Sequence, residues 1–153
     1  MERTFIMIKP DGVQSGLVGD IISRFEAKGY KLVAMKLMRT TREIVEEHYA
    51  EMRRETFFLN LIDYMMSGPV VSMVWEGTDV IYGSRRLIGA TMPRNAKMGS
   101  IRGDFSVDIR KNACHGSDSK TSAKSEIALW FPDQDCPTWN KCTDPWVNEN
   151  PDS

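Results

Sequence analysis

Histidine and cysteine are scarce in this chain of 153 residues, which has two histidines and three cysteines. The cysteines are Cys114, Cys136 and Cys142, and they form no CxxC pair. An odd number without paired spacing argues against a disulfide framework, so we expect a reducing compartment, the cytoplasm. The same scarcity argues against a structural zinc site.

Long hydrophobic runs are also missing. No apolar stretch approaches the roughly 18 to 20 residues that a membrane span needs, so we expect no membrane partner. Met1 is followed by Glu2 and Arg3 rather than by the basic and apolar regions of a secretory signal, and we expect no such signal.

The chain has little net charge, since 20 Lys and Arg oppose 21 Asp and Glu. A formal charge of −1 argues against a basic nucleic-acid coat, and we expect no obligatory nucleic-acid partner. The charge is uneven, however: −2 over residues 1–84, +5 over 85–120 and −4 over 121–153. The central excess fits a compact anion site or a solvated basic surface.

What is present is an alternation of strand and helix patterns. Strands are predicted over residues 3–9, 31–39, 70–75 and 112–115. In the first strand, Ile6 and Ile8 share one face with Thr4, while Phe5 and Met7 share the other with Lys9. Between the strands, helices are predicted over residues 18–28, 40–52, 58–65, 79–90 and 123–131.

The boundaries of these elements carry turn and cap signals. Pro10-Asp11-Gly12 is expected to stop the first strand, and Gly29 to cap the first helix in a left-handed conformation. Thr40 and Glu43 have the spacing of a capping box, and Val45, Tyr49 and Met52 form one stripe of that helix. Residues 91–111 follow neither period and predict a long loop, which is typical of functional or disordered segments. The order indicates an α/β or α+β domain without fixing the strand order.

Two kinds of side chain could carry chemistry. Arg85 lies one turn from Ile81 and Ile88, which places it nearer the protein body than Arg86, and an arginine fork suits phosphate oxygens. His115 could act as a phosphoryl nucleophile if an acid such as Glu126 orients its ring. Each also has a plainer interpretation, as a solvated charge or a buried structural histidine. The P-loop, GxGxxG and GxSxG motifs are absent.

Eight sequence blocks in order are specific enough to name a family. They are ERTFIMIKPDGVQ, GLVGDIISRFEAKGYKLVAMKLMR, EEHYAE, SGPVVSMVWEG, RRLIGAT, SIRGDF, HGSDS and SEIALWF. From Met1 to about Trp146 the chain resembles nucleoside diphosphate kinases. The resemblance implies an α+β fold of ferredoxin-like βαββαβ order, with a four-stranded antiparallel sheet covered by helices and a helical hairpin after the second strand. It also implies a domain over residues 1–147 and a polar tail over 148–153.

The resemblance implies a role for each matching residue. His115 matches the histidine that is phosphorylated, Glu126 the acid that holds its ring, and Ser117 a hydroxyl that assists the pair. Lys9 and Asn112 match residues that bind the sugar hydroxyls, and the one matched by Lys9 also lies near the phosphate. The phosphate-binding residues are matched by Tyr49, Arg85, Thr91 and Arg102. The base-binding residues are matched by Phe57 and Ile109.

The implied reaction moves the γ-phosphate of a nucleoside triphosphate to a nucleoside diphosphate by a ping-pong mechanism through a phosphohistidine. The resemblance implies broad base specificity, because stacking does not read base edges. It also implies activity on ribo- and deoxyribonucleotides, which requires that the 2′-hydroxyl contribute little. Mg²⁺ is expected to travel with the nucleotide, with Asp118 touching it through water and no dedicated metal cage. The implied assembly is a homohexamer, with a tetramer as the alternative.

Some positions depart from the family pattern. Glu55-Thr56 replaces Arg-Pro beside the base platform, Met92, Arg94 and Met98 change the long loop, and Arg110 replaces a glycine before Asn112. Arg110 would be strained if that glycine needed a positive φ. Two rival functions remain: a non-catalytic nucleotide- or nucleic-acid-binding regulator on the same fold, and a histidine phosphocarrier that acts on proteins.

Overall fold

The computed structural model describes residues 1–133 and 136–149, and its centre is one antiparallel sheet. The strands are β1 (Glu2–Ile8), β2 (Lys31–Met38), β3 (Val70–Gly77) and β4 (Cys114–Gly116). Their order is β2-β3-β1-β4, with every neighbouring pair antiparallel. This is the order expected for a ferredoxin-like α+β fold, so the fold prediction is confirmed.

Helices cover the sheet. They are α1 (Pro10–Gln14), α2 (Val18–Lys28), α3 (Arg42–His48), α4 (Phe58–Met65), α5 (Val80–Ile88), α6 (Ile101–Phe105), α7 (Lys120–Trp130) and α8 (Asp144–Val147). Helices α3 and α4 form the hairpin that was expected after β2. In the part of the chain that the structure describes, no helix is long and apolar enough to span a membrane.

Strand β1 divides the core into two layers. Phe5 and Met7 are fully buried on the side covered by α3, α4 and α7. Ile6 and Ile8 are fully buried on the opposite side, against α2 and α5. The alternation predicted for this strand is therefore confirmed. His115 in β4 pairs with Met7, and because paired residues share a face, its side chain lies on the α3–α7 side.

Of two predicted helix boundaries, one is confirmed and the other is wrong. Gly29 has a φ of 102° and caps α2, as expected, because only glycine adopts this conformation at little cost. The cap of α3 was assigned wrongly: Thr41 accepts a hydrogen bond from the Ile44 amide, whereas Thr40 donates to the Met65 carbonyl at the end of α4. Thr40 therefore joins the two helices of the hairpin rather than starting one.

Short helices were missed, and one helix was predicted too long. Pro10 begins α1 instead of only ending β1, because proline fits the first position of a helix. Helix α3 ends at His48, and Met52 lies in a 3-10 turn, so the predicted stripe stops before it.

The irregular 91–111 segment contains a 3-10 turn, Pro93–Asn95, and the single-turn helix α6. Both are too short to give a periodic signal. Arg110 is not strained: outside glycine, the positive φ angles among the described residues are those of Asp79 and Ala113. Of the predicted tail, residues 150–153 lie outside the described residues.

Candidate active site

The side chains of His115, Glu126 and Ser117 form one hydrogen-bonded group. His115 Nε2 lies 2.7 Å from Glu126 Oε1, and Ser117 Oγ donates to Glu126 Oε2 over 2.8 Å. Because a carboxylate only accepts, Nε2 carries the proton. In the neutral ring the other nitrogen, Nδ1, then holds the free electron pair, and that is the state a nucleophilic histidine needs.

The fold fixes this group from two sides. Antiparallel pairing with β1 holds β4, and the Ser117 amide continues the pairing by donating to the Phe5 carbonyl. Helix α7 begins at a cap in which Ser119 Oγ accepts from the Ser122 amide, and Glu126 follows one turn later. The acid and the histidine therefore come from two elements that the core holds together.

Lys9 and Asn112 lie together beside this group. Lys9 Nζ donates to Asn112 Oδ1 over 3.0 Å, and Asn112 Nδ2 donates to the Thr91 carbonyl over 3.2 Å. The structure thus joins three residues that sequence analysis assigned to nucleotide contacts. Thr91 itself is exposed.

The backbone between Asn112 and His115 takes an unusual turn at Ala113, whose φ is 73°. The Lys9 amide donates to the Ala113 carbonyl, and Asp11 Oδ2 accepts from the Ala113 amide, each over 2.9 Å. Tyr64 in turn donates to Asp11. Asp11 and Tyr64 are support residues that sequence analysis missed, since neither lies near residue 113 in the chain.

The two candidate arginines are placed differently. Arg102 is 4% exposed, and its guanidinium donates to the carbonyls of Asn112, Gly89 and Cys114 at 3.2, 3.1 and 2.7 Å. Arg85 is exposed and donates to the Gly116 carbonyl over 3.1 Å. Arg102 therefore holds the backbone around His115, and two of its five N–H groups remain for a ligand.

Positive charge is concentrated at these residues. Burial, and next the charge of Arg102, lowers the pKa of Lys9 to about 8. Burial, and next Glu126, raises the pKa of Tyr49, so its phenol stays protonated, and in this structure it donates to Met65 Sδ over 3.8 Å. A bound polyanion would relieve the repulsion between Lys9 and Arg102, which makes the site suited to phosphate.

The candidate base contacts are separate from this group. Phe57, just before α4, is 42% exposed, and Ile109 in the segment before β4 is 44% exposed. Within the described residues, neither side chain joins the hydrogen bonds that connect the other candidates. Asp118 is exposed, and hydrogen bonds from Ser122, opposed by some burial, lower its pKa.

His48 is a further residue that sequence analysis missed. Its ring lies edge-on to His115, with 4.6 Å between the ring centroids. The block EEHYAE contains it, but the notable feature in that block was Tyr49. Only the packing of α3 against β4 reveals the second histidine at the site.

Comparison with protein families gives one match over most of the chain. Residues 2–136 match the model described as nucleoside diphosphate kinase. A nucleoside diphosphate kinase of Thermosynechococcus vestitus is 56% identical over 149 residues, which cover 97% of this chain and 99% of the relative. Nucleoside diphosphate kinase 1 of Zea mays is also 56% identical, with the same coverage.

Solved structures agree with the sequence relatives. A halophilic nucleoside diphosphate kinase from Halobacterium salinarum in complex with CDP has a TM-score of 0.93 and 47% identity, covering 96% of this chain and 98% of that one. A nucleoside diphosphate kinase family protein from Babesia bovis has a TM-score of 0.94 and 45% identity, covering 97% and 100%. This chain is an enzyme that transfers a phosphoryl group from a nucleoside triphosphate to a nucleoside diphosphate, and it belongs to the nucleoside diphosphate kinase family.

Proposed function

We propose that His115 carries the phosphoryl group between the two nucleotides. Nδ1 attacks the γ-phosphorus of the donor triphosphate in line, and the bond from that phosphorus to the bridging oxygen breaks. The diphosphate leaves with the bond's electrons, a second diphosphate enters the same site, and its terminal oxygen takes the phosphoryl group from Nδ1. The observation that carries the proposal is the hydrogen bond from Nε2 to Glu126, which places the proton of the neutral ring on Nε2 and its free electron pair on Nδ1.

Glu126 and Ser117 have distinct parts in this scheme. Phosphorylation puts positive charge on the imidazole, and the Glu126 carboxylate stabilises that charge without taking the proton. Ser117 donates to the second carboxylate oxygen and holds its orientation. No net proton transfer is required, because Nε2 keeps its hydrogen throughout.

We assign the phosphates to Lys9, Tyr49, Arg85, Thr91 and Arg102. Charge spreads over the phosphoryl oxygens in the transition state, so fixed donors and cations do most of the catalysis. Lys9 and Arg102 are already held near each other, which supports this assignment. Arg85 is the more mobile partner, because it is exposed and its guanidinium hydrogen bond is made to one carbonyl.

We assign the sugar hydroxyls to Lys9 and Asn112, and the base to Phe57 and Ile109. A ring and an aliphatic side chain offer apolar surface without hydrogen-bonding groups, so every base can stack there. Broad specificity for purine and pyrimidine bases follows from this arrangement. Use of both ribo- and deoxyribonucleotides requires in addition that contacts to the 2′-hydroxyl contribute little.

We propose that Mg²⁺ enters as part of the substrate, bound to the nucleotide phosphates. The carboxylates near His115 are already committed: Glu126 to His115 and Ser117, and Asp11 to Ala113 and Tyr64. Asp118 is exposed and can contact the ion through water. When bound, the ion neutralises phosphate charge and orients the chain of phosphates.

We further propose that the enzyme works as a homohexamer in the cytoplasm. The sheet edge at β2 exposes Met35 and Leu37, and the long loop exposes Met98, all surfaces that copies of the chain could cover. Pro93 keeps the proline of the family pattern in that loop, which favours the hexamer over the tetramer. The free thiols Cys114, Cys136 and Cys142 agree with a reducing compartment. Residues 1–147 form the catalytic domain in this proposal, and 148–153 its tail.

Steady-state kinetics test the scheme. Initial rates at several fixed concentrations of the second substrate are expected to give parallel reciprocal plots, since the first product leaves before the second substrate binds. Intersecting plots would overturn the single-site version. Sedimentation tests the assembly separately, and a species near 17.4 kDa, the mass of one chain, would contradict it.

A further inference from the structure

His48 lies in a cluster of rings that contacts His115. At the end of α3, its ring is 4.6 Å from that of His115, at an interplanar angle of 77°. Trp130 packs edge-on to His48 at 5.6 Å, and Phe5 stacks on Trp130 at 5.5 Å. Phe5 also lies 6.0 Å from His115. His115 is therefore bordered by rings from β1 and α3, and the Trp130 ring from α7 packs against both of these rings.

One hydrogen bond in this cluster fixes a protonation state. Trp130 Nε1 donates to His48 Nδ1 over 3.0 Å. An indole nitrogen can only donate, so Nδ1 must keep a free electron pair and the neutral ring carries its proton on Nε2. Trp130 lies four residues after Glu126 on α7, so one helix face holds both histidines.

We propose that His48 is a positioning residue for His115, held by Trp130 in the neutral Nε2–H form so that its ring edge keeps Nδ1 of His115 aimed at the phosphorus. Glu126 restrains His115 at one nitrogen only, with its two carboxylate oxygens 2.7 and 3.3 Å from Nε2, so the rest of the ring can still swing about that nitrogen. The edge of His48 restricts that swing. This inference rests on the proposed role of His115 as the phosphorylated residue.

The surroundings of His48 favour a neutral ring. The titratable groups that face it are His115 from β4, Lys9 from the end of β1, Glu126 from α7 and its chain neighbour Tyr49. Burial, followed by the charges of His115 and Lys9, lowers the pKa of His48 to about 2. A charged His48 would repel the positive phosphoimidazole that the reaction forms, and the neutral ring avoids this.

The same group could be taken for a metal site, because ligand atoms of His48, His115 and Glu126 all lie within 4.8 Å of one another. The hydrogen bonds argue against it. On His48, Nδ1 accepts from Trp130 and Nε2 carries the proton, so the ring has no electron pair to offer. Glu126 is already bound to His115 and Ser117.

The tautomer can be measured on the native protein. We expect nitrogen-15 NMR of the imidazoles to show His48 with an unprotonated Nδ1 and a protonated Nε2 from pH 8 down to pH 5. In Trp130→Phe the indole donor is gone, and the Nδ1–H form should gain population. An Nδ1–H tautomer or a charged His48 at pH 6.5 in the native protein would overturn the proposal.

Two substitutions separate the ring edge from the acceptor. His48→Phe keeps a ring but loses the acceptor, and His48→Asn keeps an acceptor near Nδ1 but loses the ring edge. We expect single-turnover phosphorylation of His115 by ATP to slow about 10-fold in the first and about 30-fold in the second, since small displacements of a reacting group are costly. The Kd for ADP should stay within about twofold of its native value. A variant that had lost its fold or its binding site would show a much larger change.

A double variant tests whether Trp130 acts through His48. Trp130→Phe alone should slow phosphorylation several-fold, whereas added to His48→Phe it should cost less than about twofold. If the two substitutions instead slowed phosphorylation independently, so that their rate losses multiplied, Trp130 would not act through His48. The native protein is assayed first: if His115 is not phosphorylated there, the proposed function fails. If it is, and folded His48 variants react at the native rate, this inference alone fails.

Discussion

The proposed phosphoryl end and the proposed base end of the site are built in opposite ways. The phosphoryl end, made of His115, Glu126, Ser117, Asn112 and Arg102, is mostly buried and joined by hydrogen bonds. The base end, made of Phe57 and Ile109, is nearly half exposed on two separate segments.

This difference matches what each end must do. In-line transfer needs the nucleophile within a fraction of an ångström of its place, so rigidity there contributes directly to rate. A base that only has to stack needs apolar surface and no fixed donors, so the base end can stay open. In the proposed mechanism, precision at one end and tolerance at the other would allow one site to serve many nucleotides.

The largest expected effect is loss of the buried arginine. Arg102→Leu leaves three backbone carbonyls without a donor and removes a cation, so we expect kcat/KM to fall about 1,000-fold and unfolding free energy by about 3 kcal/mol. The matched control is Arg85→Leu, at an exposed position, which should lose phosphate affinity with little change in stability. Equal stability of the two variants in denaturant titration would show that Arg102 does not hold the backbone.

The next effect concerns orientation of the nucleophile. Glu126→Gln keeps the shape but loses the charge that favours the imidazolium, and we expect kcat to fall about 100-fold with KM little changed. Steady-state kinetics with ATP and a diphosphate acceptor measure both constants. A variant that raises KM while keeping kcat would instead make Glu126 a binding residue.

A smaller effect is expected at the base end. Phe57→Ala removes a stacking surface and should raise KM about 10-fold, by the same factor for ADP and for CDP. Leu59→Ala, at an exposed apolar position two residues away, serves as the control and should leave KM unchanged. A change confined to one base would mean that the base end reads base edges.

The smallest effect is a pH dependence. Since the pKa of Lys9 is lowered to about 8, its ammonium is charged at pH 7 and loses its proton as the pH rises through 8. We therefore expect kcat/KM to fall by a few-fold on the alkaline side of pH 8, and this limb should disappear in Lys9→Gln. The exposed control Lys97→Gln should keep the limb, and its loss there would assign the titration elsewhere.

Sequence patterns predicted the long elements well because each has a periodic apolar face. The alternation in β1 and the glycine cap of α2 are examples. Single-turn helices such as α6 are too short to show a hydrophobic period, so the sequence did not predict them. The cap at Thr41 was missed because the sequence does not tell which of two adjacent threonines faces α4.

The candidate site also has residues that the sequence predicts and residues that it does not. Motif resemblance assigned His115 and Glu126, and the structure brings them within hydrogen-bonding distance. The support residues could not be predicted, because Asp11 and His48 act across more than 60 residues of chain and only through the folded packing. The burial of Arg102 was also unforeseen, since its charge suggested a surface position.

The covalent intermediate is the central claim, and one measurement tests it most directly. The protein is incubated with γ-labelled ATP, freed of nucleotide, and then mixed with CDP. We predict up to one acid-labile phosphate per chain, absent in His115→Ala, and its rapid transfer to CDP as labelled CTP. Label that persists in His115→Ala, or that is released only as inorganic phosphate, would contradict the account.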